Sequence, residues 1–148
     1  SLEEIAEKAM ALGLDAVQLH GRVEELDWAK FLPGVFVIRV FHMTPDEEKN
    51  APTLHDALRP GYHHIILLDT ATQGGQDGGS GVSFNWSHVS NIPVPFLIAG
   101  GLTPDNVQEA LTQSLAAGVD TSSGVETEGQ KDTAKITAYV ENARRVLS

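Results

Sequence analysis

Apolar, strand-like runs alternate with amphipathic helical stretches along this 148-residue chain, and glycine-rich turns gather after the last three of five such runs. The alternation predicts βα units and a parallel sheet. A doubly wound sheet could also hold five strands, but it usually carries its glycines after the first one. In (β/α)₈ barrels the phosphate site often follows strands seven and eight. We therefore expect an N-terminally truncated (β/α)₈ TIM barrel, helix 3 through helix 8, forming one incomplete domain over residues 1–148.

The first predicted elements are a helix and then a strand–helix pair. The apolar face of the opening helix carries Leu2, Ile5, Ala6, Ala9 and Met10. Gly13 is well placed to end this helix. Residues 15–21 form a short apolar run that closes on His20 and Gly21, which predicts a strand. The stretch from Val23 to Phe31 favours a helix.

Two further strands are predicted in the middle of the chain. Pro33 and Gly34 break the chain before the β-branched and aromatic run 35–41, which is typical of a strand buried on both faces. Residues 53–58 favour a short helix, and the apolar run 65–69 predicts the third strand. The loop 70–86 contains five glycines and is longer than a connection within a compact domain normally needs.

The last predicted elements are two strand–helix units. Residues 95–102 form a strand and a glycine turn, and Thr103 as N-cap with Pro104 behind it predicts a helix start. The apolar face of that helix carries Val107, Ala110, Leu111 and Leu115. Residues 118–124 predict a fifth strand that runs into a loop. A final amphipathic helix is marked by Ile136, Tyr139, Val140, Ala143, Val146 and Leu147.

Charge and composition restrict the partners. The formal net charge is −10 and the pI is near 4.8, which disfavours nucleic acid because that affinity comes mainly from Lys and Arg on phosphates. The apolar stretches fall far short of the roughly 20 residues that cross a bilayer, so no membrane partner is expected. The acidic, amphipathic N-terminus lacks the features of a secretory signal. We expect a cytoplasmic protein whose partner is a small phosphorylated substrate, held largely by backbone N–H groups.

Two small-residue turns at neighbouring strand ends are candidates for the phosphate site. Gly100 and Gly101 stand between a strand end and a helix start, where backbone N–H groups can approach an anion closely. The sequence 122–124 adds two hydroxyls and another glycine at the next strand end. Either turn taken alone could serve only to reverse the chain. Two such loops on adjacent strands favour one shared phosphate site.

Several polar side chains also lie at predicted strand ends. Asp69 ends a buried apolar strand, where partial removal from water favours the protonated carboxyl and suits it to donate a proton. His20 and Asp120 would point into the same open end of a barrel. Arg39 interrupts the run 35–41 and either faces that open end or, as the preferred interpretation, pairs with a carboxylate. Each of these residues could instead have a purely structural role.

A metal site is not predicted. His63 and His64 precede a strand, and no third ligand follows at metal-binding spacing, so surface positions are expected for both. Cysteine is absent from the chain, which rules out disulfides, thiolate metal sites and a cysteine nucleophile or base within these residues.

A set of motifs along the chain resembles the phosphoribosylanthranilate isomerase family. The motifs are VQLHG (17–21), LLDT (67–70), GGSGVSFNW (78–86), IAGGLTPDNV (98–107) and GVDTSSGVETEGQKD (118–132). The resemblance implies a (β/α)₈ barrel that catalyses the Amadori rearrangement of N-(5-phosphoribosyl)anthranilate in tryptophan biosynthesis, with no cofactor and no metal. The chain also resembles the C-terminal isomerase domain of a fungal multifunctional tryptophan-biosynthesis protein. That likeness implies covalent fusion to other domains of the pathway.

The resemblance also implies roles for particular residues. Asp69 corresponds to the general acid that protonates the ribose ring oxygen, and His20 and Asp120 match positions that line the pocket. The phosphate site corresponds to Gly79, Ser80, Gly81, Gly100, Gly101, Ser122, Ser123 and Gly124. Asn85 and Thr121 depart slightly from the usual motifs.

The general base of the family is a cysteine in a Lys-x-Cys-Gly motif, and this chain has no cysteine. Acid and base must both reach the reacting sugar, so we expect these residues to be inactive on their own. The alternative is a non-catalytic module that binds a phosphate ligand or another protein. Indole-glycerol-phosphate synthase, another phosphate-binding barrel, would need a Lys and Glu pair at strand ends that is not found.

Overall fold

The computed structural model describes residues 2–20, 32–44, 50, 53–55, 57–58, 64–70 and 84–147. The predicted helix at 23–31 and most of the loop 70–86 lie outside these ranges. Residues 53–55 and 57 are helical. The other elements, in chain order, are α1 (Leu2–Leu12), β1 (Ala16–Leu19), β2 (Phe36–His42), β3 (Ile65–Asp69), a 3₁₀ helix (Trp86–Val89), β4 (Phe96–Ala99), α2 (Val107–Ser114), β5 (Gly118–Val119), a second 3₁₀ helix (Ser123–Val125), β6 (Glu126–Thr127), β7 (Gln130–Lys131) and α3 (Thr133–Leu147).

Strands β1 to β5 form one parallel sheet in which the spatial order is the order in the chain. A doubly wound sheet reverses its strand order at a switch point, and this sheet has no such reversal. The predicted parallel α/β architecture with five strands is therefore confirmed, and its order is that of a barrel. The assignment of these strands as four to eight of a longer barrel stays a prediction.

The two faces of the sheet differ in what covers them. Side chains alternate between faces along a strand, and residues in register share a face. One face carries a small apolar layer made by Ile38, Val40, Leu67, Leu97 and Ala99. The other face packs Ile66, Leu68, Phe96 and Ile98 against Val107, Ala110 and Leu111 of α2 and Tyr139 and Ala143 of α3. Helices on one side and a narrow apolar layer on the other match the wall of a barrel.

Helix α1 ends where the sequence predicts. Gly13 has a φ of 61°, and its N–H donates to the carbonyl of Met10 at 3.2 Å while Leu14 donates to Ala9 at 2.9 Å. This pair of bonds is the Schellman motif, which favours glycine at the left-handed position. Ala9 is buried as predicted. Met10 is 71% exposed, so its place on the buried face was wrong.

Helix α2 begins later than predicted. The regular helix starts at Val107, because residues 104–106 form a turn in which the Thr103 carbonyl accepts from both Asn106 and Val107. The Thr103 hydroxyl still accepts from the N–H of Asp105 at 3.3 Å. Leu115 was wrongly placed on the apolar face. It takes the left-handed C-cap conformation, with a φ of 59°, and is 69% exposed.

Helix α3 buries less of its apolar face than predicted. Tyr139 and Ala143 are buried against the sheet, and the Asn142 amide donates to the Pro104 carbonyl at 2.9 Å, so this face is the one packed against α2. The remaining apolar side chains of the stripe are exposed, namely Ile136, Val140, Val146 and Leu147. Within the described ranges, no helix is long and apolar enough to cross a membrane.

The start of α3 is held by a single carboxylate. Asp132 accepts from the hydroxyl of Thr127 at 2.8 Å and from the backbone N–H groups of Ala134 and Lys135 at 2.9 and 3.2 Å. The Thr127 hydroxyl, and then these N–H groups, hold the pKa of Asp132 below its ordinary value of 3.8. The carboxylate therefore stabilises the helix start, as expected of an N-cap.

Replacing Asp132 with alanine is expected to lower the Tm at pH 7, because alanine has no oxygen that could accept from the N–H groups at the helix start. A group with a lowered folded-state pKa contributes stability above its unfolded value, and that contribution is lost as pH falls through the folded value. The Tm difference between the two proteins should thus shrink between pH 5 and pH 3. Thermal unfolding across this range checks it, with Glu141→Gln on the same helix as control. An Asp132→Ala protein as stable as wild type at pH 7 would contradict the assignment.

Candidate functional site

The carboxyl ends of the strands bring the predicted polar residues to one edge of the sheet. His20 directly follows β1, His42 ends β2 and Asp69 ends β3. Gly100 follows β4, and Asp120 follows β5. Because all five strands are parallel, these positions share one edge, which in α/β barrels is the edge that carries active sites.

Asp69 lies beside two histidines. His42 is its direct neighbour in the register of β2 and β3, and Nδ1 of His42 lies 3.3 Å from Oδ2 of Asp69. The side chain of His42 is 44% exposed and that of Asp69 is 21% exposed. The His20 ring lies 6.1 Å from the His42 ring, centroid to centroid. The structure therefore places His42 between His20 and Asp69 at this edge.

His42 is a residue that the sequence reasoning missed. It directly follows the predicted strand 35–41, where a polar residue at the carboxyl end of a buried strand is the type of feature that drew attention to Asp69. Its proximity to Asp69 depends on strand register, which single-sequence patterns do not reveal.

Arg39 is not brought to this group. Its register partner is Ile66, which lies in the core under the helices, so Arg39 is on the face opposite Asp69. The side chain is 9% exposed, and its guanidinium lies over the Phe41 ring at 5.6 Å. Burial lowers its pKa from the ordinary value, although an arginine stays charged at any ordinary pH. This placement fits a packing role better than contact with a substrate.

The turn after β4 has the backbone form that glycine permits. Gly100 and Gly101 have φ values of 96° and 63°, which side chains with a Cβ rarely adopt. The Asn106 side chain holds the turn, since its amide donates to the Gly101 carbonyl at 3.0 Å and its oxygen accepts from the Thr103 N–H at 2.8 Å. From the neighbouring strand, the Thr70 hydroxyl donates to the Ala99 carbonyl at 2.8 Å. The turn is thus pinned from two sides.

The loop after β5 packs directly onto that turn. The Thr121 hydroxyl donates to the carbonyl of Leu102 at 2.7 Å. A Cβ on Gly124 would overlap with the same carbonyl oxygen. Ser122 and Ser123 stay exposed. The two predicted phosphate loops are therefore in contact, as one shared site requires.

Lys131 supplies a cation next to this loop that the sequence reasoning passed over. Its ammonium donates to the carbonyl of Ser122 at 2.8 Å and lies 3.2 Å from the Ser122 hydroxyl. It also pairs with Glu126 at 2.6 Å. The residue sits in the GQKD portion of the last motif, which the hairpin of β6 and β7 folds back onto the loop.

Asp120 is exposed at the same edge, and its backbone N–H donates to the Ile98 carbonyl at 2.9 Å. Its charge acts on a buried tyrosine of α3. Burial raises the pKa of Tyr139 well above its ordinary value, and the negative charge of Asp120 adds to that effect. Asp120 is thus at the predicted strand end, next to the helix layer.

Gly79, Ser80 and Gly81 lie outside the described residues. His64 is exposed, as predicted, but its Nδ1 accepts from the N–H of Val37 at 2.9 Å. In the part of the chain that the structure describes, no three His, Asp or Glu side chains converge as metal ligands.

A cavity of about 270 Å³ lies at the opposite edge of the sheet, away from Asp69. Its lining consists of Asp15, Leu32, Gly34, Val35, Phe36 and His64. These residues precede or begin strands β1 to β3, so the cavity is at the amino ends of the strands. Active sites in parallel α/β barrels lie at the carboxyl ends of the strands. The cavity is therefore not assigned to the site.

Comparison with known protein families gives one match over most of the chain. Residues 1–142 match the family model described as N-(5'phosphoribosyl)anthranilate (PRA) isomerase. A multifunctional tryptophan biosynthesis protein of Schizosaccharomyces pombe is 43% identical over 94% of this chain and 17% of that protein. An N-(5'-phosphoribosyl)anthranilate isomerase of Eremothecium gossypii is 40% identical over 97% of this chain and 68% of its own length.

Solved structures of isomerases with the same name are also similar. That from Pyrococcus furiosus has a TM-score of 0.79 at 27% identity, covering 99% of this chain and 70% of its own. That from Thermotoga maritima has a TM-score of 0.76 at 33% identity, covering 97% and 68%. The chain therefore spans about two thirds of these structures, and only 17% and 21% of two multifunctional relatives.

Proposed function

Because the chain belongs to the N-(5'-phosphoribosyl)anthranilate isomerase family, we propose that the full-length protein catalyses the Amadori rearrangement of N-(5-phosphoribosyl)anthranilate in tryptophan biosynthesis. The observation that carries this proposal is the shared edge of the sheet. At this edge, the carboxyl of Asp69 lies beside a histidine. The same edge carries two loops of small residues, 100–101 and 122–124, which contact each other. Such an arrangement suits a phosphorylated sugar, with the phosphate in the loops and the sugar ring towards the carboxyl.

Asp69 is the proposed general acid. Its carboxyl donates a proton to the ribose ring oxygen as the bond between that oxygen and the anomeric carbon breaks. The lone pair of the anthranilate nitrogen then forms the iminium. Loss of a proton from the adjacent sugar carbon gives the enolamine, which tautomerises to the aminodeoxyribulose phosphate. The place of Asp69 at the carboxyl end of β3, partly buried at the edge shared with the loops, supports this role, since a general acid must lie within reach of the group it protonates.

The phosphate is proposed to bind to backbone N–H groups and hydroxyls rather than to a cluster of cations. The chain carries twice as many acidic as basic residues, 20 against 10, so preorganised backbone donors are the better source of binding. Gly100, Gly101, Ser122 and Ser123 provide these donors, and Gly124 lets the second loop approach the first. The resemblance adds Gly79, Ser80 and Gly81, and pocket contacts from His20 and Asp120.

The acid and the phosphate loops are proposed to be the contribution of these 148 residues. The family resemblance gives the base role to a cysteine, and the sequence contains none. The likeness to multifunctional relatives supports fusion to other domains of the pathway. We keep the cytoplasm as the expected location.

The test is an assay of the full-length protein with N-(5-phosphoribosyl)anthranilate, followed by absorbance and by chromatography of the product. Turnover to the aminodeoxyribulose phosphate is expected. In calorimetry, a reduced product analogue should bind, and inorganic phosphate should compete with it. Binding of the analogue with no turnover would overturn the proposal and support a phosphate-binding module without catalytic activity.

A further inference from the structure

We propose that His42 is a positioning residue that orients the carboxyl of Asp69 for proton donation. This inference rests on the proposed isomerase function for its chemistry. Its structural part, a bond between imidazole and carboxyl, can be tested separately. The family motifs and the sequence patterns named His20 and Asp69 but not His42.

The backbone sets the two side chains side by side. His42 and Asp69 are register partners at the carboxyl ends of adjacent parallel strands. The N–H of Met43 donates to the Asp69 carbonyl at 2.8 Å, so the pairing continues one residue beyond His42. A neighbour held by strand register returns to the same place after each turnover, unlike a residue on a long loop.

The contact involves one oxygen of the carboxyl. Nδ1 of His42 lies 3.3 Å from Oδ2 of Asp69, and catalytic contacts that are long without substrate often tighten when it binds. If Nδ1 carries the hydrogen and donates it to Oδ2, the acidic proton of Asp69 must be on Oδ1. The imidazole thereby selects which oxygen faces the reaction as donor.

A second histidine ring lies beside His42. The His20 ring lies 6.1 Å away with its plane tilted by 43°. Gln18 reaches His20, with Nε2 of each residue 3.2 Å apart. Gln18 within β1, His20 directly after β1 and His42 at the end of β2 are thus successive neighbours, and His42 is the one that contacts Asp69. In the proposed division of roles, these three side chains orient Asp69. Only Asp69 exchanges a proton with the sugar.

A role in stability explains the pair less well. Both side chains are in contact with solvent, His42 by 44% and Asp69 by 21%. Ion pairs at such exposure contribute little to folding, because water and salt screen them. A contact of this type at the open edge of the site is better explained by the orientation of a reacting group.

The kinetic test compares His42→Ala with His42→Asn in the full-length protein. The alanine variant should lose about 10- to 100-fold in kcat with KM nearly unchanged, a loss typical of residues that orient a catalytic group. The amide nitrogen of asparagine can occupy the place of Nδ1, so His42→Asn should recover most of kcat. His64→Ala is the control, because His64 is at the other end of β3, about 16 Å from Asp69 at the usual rise per residue. The kcat of this variant should stay at the wild-type level.

The structural test uses ¹⁵N NMR of protein labelled at histidine. The His42 resonances are identified by their absence from the spectrum of His42→Asn. In the wild type, the Nδ1 atom of His42 is expected to carry a proton. In Asp69→Ala, the ratio of the two imidazole tautomers is expected to change. The inference would be overturned if His42→Ala had the kcat of the wild type or showed only a rise in KM. It would also be overturned if the ¹⁵N chemical shifts of His42 were the same in Asp69→Ala and in the wild type. A protein with the expected NMR result but no isomerase activity would instead refute the proposed function.

Discussion

Replacing Asp69 with asparagine is expected to lower kcat of the full-length protein by about 100- to 10,000-fold, the range for loss of a general acid. Asparagine keeps the shape and a hydrogen-bonding oxygen but has no acidic proton for the ribose ring oxygen. The ring then has to open without assistance. KM should change little, because the phosphate loops at 100–101 and 122–124 are untouched. Steady-state kinetics at saturating and limiting substrate separate the two effects.

Asp15→Asn is the matched control for this variant. Asp15 precedes β1, at the amino-end edge of the same sheet, and is exposed. The same chemical change at that edge should leave kcat and KM at wild-type values. If Asp69→Asn also turned over at the wild-type rate, another group would have to be the acid.

Replacing Gly124 with alanine is expected to damage the phosphate site. The added Cβ would overlap with the Leu102 carbonyl oxygen and lie 2.8 Å from both its carbonyl carbon and the Thr121 hydroxyl oxygen. The carbonyl belongs to the backbone and cannot rotate away, so the loop must separate from the turn after β4. A displacement of about 1 Å can reduce kcat/KM by about 100-fold. Overpacking of this type also lowers the free energy of unfolding by about 1–3 kcal/mol.

Kinetics with varied substrate, calorimetry with inorganic phosphate and denaturant unfolding measure these effects. Gly118→Ala is a graded control, because its Cβ would meet only Cδ2 of Leu97, at 2.8 Å. The end of a leucine side chain can change rotamer, so phosphate affinity should fall much less. Equal phosphate affinity in Gly124→Ala and wild type would show that the contact between the two loops is not needed for binding.

Much of the fold could be predicted because its determinants are local. The third strand was predicted at 65–69 and is found over Ile65–Asp69, since a short, unbroken apolar run is typical of a parallel strand buried on both faces. Gly13 ends α1 as predicted because a left-handed residue costs glycine little. The error at Met10 arises because a helical period gives the width of an apolar stripe but not which of its margins is covered. The error at Leu115 has another cause, since the helix ends there in a left-handed C-cap.

The two residues of β2 show the limit most clearly. Arg39 and His42 lie three positions apart, and an odd separation puts them on opposite faces of a strand. Because β2 is apolar on both faces, no alternation in its sequence tells which face meets the helices. The sequence therefore allows Arg39 either to face the open end of the barrel or to pair with a carboxylate, whereas the register places it on the face opposite Asp69. For the same reason His42 could be passed over, although it lies 3.3 Å from Asp69.

By itself the sequence determined the parallel α/β class, the five strands of the sheet and the family. Each of these depends on residues close together in the chain or on short motifs that can be recognised in the sequence. Only the tertiary structure decided which residues meet at the site. His42 and Asp69 become neighbours through the register of two strands, and the loops at 100–101 and 122–124 touch because Gly124 leaves room for the Leu102 carbonyl. Such contacts join residues more than 20 positions apart, and the energies that select them arise from packing the whole sheet rather than from any local pattern.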